Sequence, residues 1–171
     1  MSYLLEGSPV FASHDSHRAL SSAALIDLAR EVIKRKRLFR FAASGKSMAP
    51  FIKDGDVITL APLGQNPASV GKVVAFLCPG TETLTVHRVI DEIRSGFLIK
   101  GDNTPGTSDG IIPRNAVLGT VVQIERDGSS IHWGLGPERR LIALLSKYDV
   151  LTALTRTLRK WKALFSAKTQ A

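Results

Sequence analysis

From Leu38 to Trp133 the apolar residues come in short runs, each closed by a turn signal. This rhythm limits the fold more than any other feature of the chain. The runs read as strands over 38–43, 56–61, 71–78, 83–91, 95–100, 117–126 and 130–133. Between them stand Asp54-Gly55, Gly64 to Pro67, Pro79-Gly80, Arg94 to Gly96, Gly101 to Gly110 and Asp127-Gly128, residues that favour tight turns. Such spacing predicts a mainly β unit, a small barrel-like sheet rather than alternating βαβ units.

The flanks follow a different period. Residues 1–20 mix Ser, His and Gly and read as flexible. Ser21-Ser22 can cap a helix over Ala23 to Lys36, where Leu25, Leu28, Ala29, Val32 and Ile33 recur at three- and four-residue steps. The basic run Lys34-Arg35-Lys36-Arg37 falls at its C-terminal end, where the helix dipole favours cations. After Gly134 to Pro137, residues 138–165 read as one amphipathic basic helix with Leu141, Leu144, Leu145, Tyr148, Leu151 and Leu154 on its apolar side. The expected division is 1–37 as flexible N-terminus and helix, 38–136 as the β-rich unit, and 137–171 as the basic helical tail.

Charge separates these parts. The chain carries +8, but residues 137–171 hold eight Lys/Arg against two acids, while the rest holds 15 against 13. A β unit so close to neutral argues against nucleic acid as its partner. The tail fits a membrane surface, with Trp161 at headgroup level, or packs on its own domain. Met1 to Ser16 shows no basic start and no sustained apolar core, and no apolar run approaches the roughly 20 residues that span a bilayer. The expected location is the cytoplasm, with a peripheral membrane contact through 138–165. The single cysteine, Cys78, closes the apolar run Val73 to Leu77 and reads as a strand residue, with no internal disulfide available.

Within the strand-and-turn region one serine, one histidine and an aspartate stand in separate segments. Ser47 lies in Ser44-Gly45-Lys46-Ser47-Met48-Ala49-Pro50, ahead of Asp54-Gly55-Asp56. His87 lies in Val86-His87-Arg88-Val89, and beyond it come Gly101-Asp102-Asn103 and Asp109. A hydroxyl needs a base to become a nucleophile, imidazole titrates near neutrality, and a carboxylate on its other nitrogen fixes the tautomer. Lys46 adjoins the serine and Lys100 ends a strand; both read as solvated rather than as a lysine base. Met48 reads as an apolar anchor for the serine turn. His14, His17 and His132 show no spaced Cys, His or carboxylate partners, so no metal is expected, and no Gly-rich phosphate loop or other cofactor motif is present.

In four ordered blocks over roughly Arg40 to Val122 the sequence resembles the signal peptidase superfamily, which also holds the self-cleaving repressor proteases. The blocks are 44–50 with Gly55-Asp56, Val70 to Phe76, Val86 to Ile90, and Lys100-Gly101-Asp102-Asn103 with Asp109 and Leu118 to Val121. The resemblance implies that family's small β-barrel-like sheet and a serine peptidase. His87 stands where the lysine-dependent members have lysine, which implies the Ser-His-Asp type. Position by position, Ser47 is then the nucleophile and His87 the base. Asp109 matches the orienting carboxylate best, with Asp102 the other candidate. The Ser47 backbone N–H would stabilise the oxyanion, with Ser44 a second donor. The implied substrate is a particular peptide or protein, cut through an acyl-enzyme. The usual membrane anchor before the serine block is replaced here by a polar amphipathic helix, and the upstream stretch does not read as a helix-turn-helix. Two other classes stay beside this reading: a non-catalytic module that holds a peptide in the same fold, and a regulator that binds nucleic acid through the basic tail.

Overall fold

The computed structural model describes residues 10–12 (backbone only), 22–81, 83–151, 153 and 157. The chain runs β1 (Val10–Ala12), α1 (Ser22–Lys34), β2 (Phe39–Ala42), β3 (Val57–Pro62), β4 (Val73–Cys78), β5 (Thr83–Ile93), β6 (Gly96–Lys100), β7 (Gly110–Pro113), a 3-10 turn at Arg114–Ala116, β8 (Val117–Arg126), β9 (Ser129–Ile131) and α2 (Arg139–Lys147). The fold is mainly β, a curled antiparallel half-barrel sheet carrying two helices. Its strand order is β1-β2-β3-β8-β4-β5-β6-β7, with β9 paired to β8. All pairings are antiparallel except β1 with β2.

The sheet has two apolar sides, and β4 shows why its sequence is an unbroken apolar run. Val73 and Ala75 enter one cluster with Phe39, Ile58 and Val121, while Val74 and Phe76 enter another with Val89 and Ile99. Alternate residues of a strand point to opposite faces, so burial of both faces demands apolar residues throughout. Helix α1 closes the first cluster with Ala29 and Val32. It ends two residues before the expected Lys36, which takes φ 58, a left-handed cap. Register shifts between Thr59 and Leu60, Ala75 and Phe76, and Val89 and Asp91 bend the strands, as bulges do.

Two strands lie outside the expected set. β1 adds a three-residue parallel edge within residues read as flexible; the rest of 1–20 lies outside the described residues. β7 falls at the far edge, at the end of a segment read as a turn. It is short and finishes on Pro113, which an edge strand tolerates because no further partner needs the missing N–H. The expected single helix over 138–165 is also corrected. α2 stops at Lys147, Tyr148-Asp149 form a turn in which Asp149 has φ 59, and helical backbone resumes at Val150. The inner face of α2 is covered: Ile142 packs with Phe51 and Leu151 in a third cluster.

Candidate active site

The serine sits in a loop closed by the sheet itself. Between β2 and β3, Ala43 N–H donates to Asp56 O at 2.7 Å and Gly55 N–H to Ala43 O at 2.9 Å. Gly45, at φ 98, occupies a backbone region that side chains strain to enter, and its N–H donates to Asp54 Oδ1 at 2.8 Å. The turn that follows buries Met48 and Ile52 in the first cluster, the anchoring expected of Met48. The loop's far end is tied to β8. Asp56 accepts from Arg126 Nε and Nη2 at 2.8 and 2.7 Å and from Lys53 N–H at 2.7 Å. Ser47 is thus held between two anchored ends. Its backbone N–H has no acceptor among the described residues.

His87 projects from β5 toward this loop. Its Nε2 lies 2.8 Å from Ser47 Oγ and its Nδ1 lies 2.6 Å from Asp109 Oδ2. The imidazole is buried, with 8% of its residue surface exposed. Asp109 follows the 101–108 loop, and its N–H donates to Ile99 O at 3.0 Å. Three residues expected from the blocks, Ser47, His87 and Asp109, therefore stand in one hydrogen-bonded line.

Asp102 is not part of it. It accepts from Arg88 Nε at 2.9 Å and from Arg88 Nη2 at 2.7 Å, and neither side chain is exposed. Arg88 Nη1 also donates to Gly71 O at 2.7 Å and Gly134 O at 2.9 Å, and the guanidinium carbon lies 5.3 Å from the centre of the Phe51 ring. Burial pushes the Asp102 carboxyl up, and the Arg88 charge and hydrogen bonds pull against it. The alternative partner for His87 is corrected by strand geometry. His87 and Arg88 are successive on β5 and point to opposite faces, and Asp102 meets the arginine.

The Gly101-Asp102-Asn103 turn has a use for each residue. A Cβ on Gly101 would come 2.9 Å from Ser47 O and 3.0 Å from His87 Nε2, so only glycine lets the turn approach the pair. Asn103 N–H donates to Ser47 O at 2.7 Å, and its Nδ2 donates to Lys46 O at 3.0 Å. This clamp on the serine backbone was not anticipated; its signal is the asparagine directly after Gly-Asp in the fourth block.

A cleft of about 360 Å³ opens beside Ser47. Phe41 and Ala43 at the end of β2, Leu84 and Val86 of β5, and Leu25 of α1 form its walls. Ser44 lies on the same cleft and is exposed. Lys46 is exposed as expected, but Lys100 is not solvated: it is buried, and its Nζ pairs with Asp149 Oδ1 at 2.6 Å. The segment around Asp149 covers the end of β6, which a strand-end reading could not foresee. Cys78 closes β4 half-buried. His132 lies just past β9 and is exposed, while His14 and His17 fall outside the described residues. Among the described residues no three His, Cys, Asp or Glu gather to hold a metal, and no helix is long and apolar enough to cross a membrane.

A protein-family model described as Peptidase S24-like matches residues 6–122. The matched stretch contains the serine loop, β5 with His87, and the loop with Asp102 and Asp109; α2 and all that follows it lie beyond.

Proposed function

This chain belongs to the Peptidase S24-like family, and from that premise we propose that it is a serine endopeptidase, cutting one peptide bond of a specific precursor peptide or protein. The observation that carries this reading is the line Asp109–His87–Ser47, at 2.6 and 2.8 Å. Both distances lie within the reach needed for proton transfer between a base, its orienter and a nucleophile.

In this mechanism His87 Nε2 takes the proton of Ser47 Oγ as the oxygen attacks the scissile carbonyl. Asp109 accepts the Nδ1–H hydrogen bond, which fixes the tautomer and stabilises the imidazolium that forms. The developing oxyanion is met by the Ser47 N–H, which has no acceptor among the described residues, with Ser44 as the second donor. His87 then gives its proton to the leaving amine, and a serine ester remains. Water, activated by the same imidazole, hydrolyses the ester and frees Ser47. The apolar walls of the cleft fit an aliphatic or small side chain beside the scissile bond.

A fluorophosphonate probe tests the reading, because it reacts with an activated serine whatever the natural substrate. Ser47 of the wild-type chain is expected to be labelled, Ser47→Ala to remain unlabelled, and His87→Ala to react at least about a hundredfold more slowly. Labelling that fails in the folded wild type, or ignores His87, would sink the proposal and favour a peptide-binding module with the same fold.

A further inference from the structure

Asp149 stands outside the family match, in the turn after α2, yet it reaches the loop that carries Asp109. Its Oδ1 accepts from Lys100 Nζ at 2.6 Å and from Gly106 N–H at 3.1 Å. Lys100 is the last residue of β6, directly before the loop, and only 6% of its side chain is exposed. Gly106 sits in the middle of the loop, where Pro105 to Ser108 are exposed. One carboxylate oxygen therefore holds both the root and the middle of the loop. The other anchors lie at its ends, where Asn103 N–H donates to Ser47 O and Asp109 N–H to Ile99 O.

We propose that Asp149 is a positioning residue for the reaction: by accepting from Gly106 N–H it fixes the 101–109 loop so that the Asp109 carboxylate stays on His87. This rests on the reading of Ser47 and His87 given above. The physical need is plain. Asp109 has 20% of its side chain exposed and borders an exposed loop, so its placement depends on how that loop is held. A catalytic contact displaced by about 1 Å can cost on the order of a hundredfold in rate. The buried Lys100 ammonium needs an anion nearby, and Asp149 supplies it from the C-terminal segment. That segment is thereby made part of the catalytic unit.

The test uses the full chain and two double variants of equal charge. In Lys100→Met/Asp149→Asn the amide oxygen still accepts from Gly106; in Lys100→Met/Asp149→Ala nothing does. Neither leaves a buried lysine without its counter-charge, and thermal melts verify that both fold. The asparagine variant is expected to label Ser47 within about threefold of wild type, and the alanine variant at least about tenfold more slowly. The downfield proton resonance of His87 Nδ1–H hydrogen-bonded to Asp109 should persist in the first and broaden or vanish in the second. Equal labelling rates with the same resonance in both variants would overturn the proposal. Should the wild type itself fail to label, the peptidase reading falls, and the resonance alone decides whether Asp149 holds Asp109 in place.

Discussion

Two aspartates seven positions apart in one loop face opposite demands. Asp109 is half-buried and holds an imidazole; Asp102 is fully buried and holds a guanidinium. Replacing each by asparagine separates the roles. Asp109→Asn is expected to slow labelling of Ser47 by up to about 10⁴-fold, since the amide can favour the wrong tautomer, with little change in melting temperature. Asp102→Asn leaves Arg88 charged and buried without a carboxylate, and is expected to cost about 3–5 kcal/mol in urea unfolding. The reverse pattern, a stable Asp102→Asn and an unstable but active Asp109→Asn, would exchange the two assignments. Sequence reasoning brought both aspartates to the site and favoured Asp109 by resemblance, without a physical ground for setting Asp102 aside. The choice depends on which face of β5 each meets, and that is settled by Arg88, an unremarked neighbour of His87 whose side chain turns the other way.

Among the elements, β8 holds the serine loop from a distance of 70 residues in sequence, through Arg126 and Asp56. Burial alone would push the Asp56 carboxyl up, but hydrogen bonds from Arg126 and the Lys53 N–H outweigh it and hold the carboxyl below its ordinary value. A depressed folded value means that the unfolded chain binds the proton more readily. The stabilisation is therefore fully present above the unfolded value of about 3.9 and is lost as the pH falls through the folded one. Asp56→Asn is expected to lower the urea midpoint at pH 7 by the equivalent of about 1.5–3 kcal/mol for charged hydrogen bonds lost. The gap to wild type should close as the pH is taken below about 3.9; a gap that stays constant down to pH 2 would show that the charge on Asp56 is not what matters. The strand elements were legible where both faces are buried, as in β4, or where turns bracket the run, as in β5 and β8. β1 and β7 were not, because three or four residues show no period and their order comes from pairing with a formed edge. The break after α2 was hidden because the apolar period runs straight through Tyr148 and Asp149, while the partners of the Asp149 side chain, Lys100 and Gly106, lie far back in the chain.

At the scale of the whole molecule, the exposed apolar residues of α2 are followed in sequence by positive charge. α2 turns Ile142 and Ala143 inward, yet Leu141, Leu144 and Tyr148 are 58%, 52% and 67% exposed, and Trp133 is 60% exposed against Phe51. No acidic residue follows Asp149 in the sequence, whereas Arg156, Arg159, Lys160, Lys162 and Lys168 do. We propose that this apolar helix face, followed in sequence by cations with no acid among them, meets an anionic lipid surface, where each basic residue near the headgroups adds about 1 kcal/mol. The full chain is expected to float with vesicles rich in phosphatidylserine, to leave them as salt is raised, and to ignore vesicles of phosphatidylcholine alone. Leu141→Glu/Leu144→Glu should weaken flotation without slowing the labelling of Ser47, because these side chains point away from Phe51 and the sheet. Equal flotation with neutral vesicles, or none with anionic ones, would remove the lipid surface as partner. Tight, salt-sensitive binding to duplex DNA that the double glutamate variant leaves intact would assign the cations to nucleic acid instead. The position of Asp149 sets what membrane docking can do. It stands between the outward-facing helix and the loop that carries Asp109, so a docked tail should change labelling of wild type and leave Lys100→Met/Asp149→Ala unaffected. Comparing both proteins with and without anionic vesicles measures that coupling directly: an unchanged wild type would show that docking and catalysis are independent, and equal changes in both would show that the coupling bypasses Asp149.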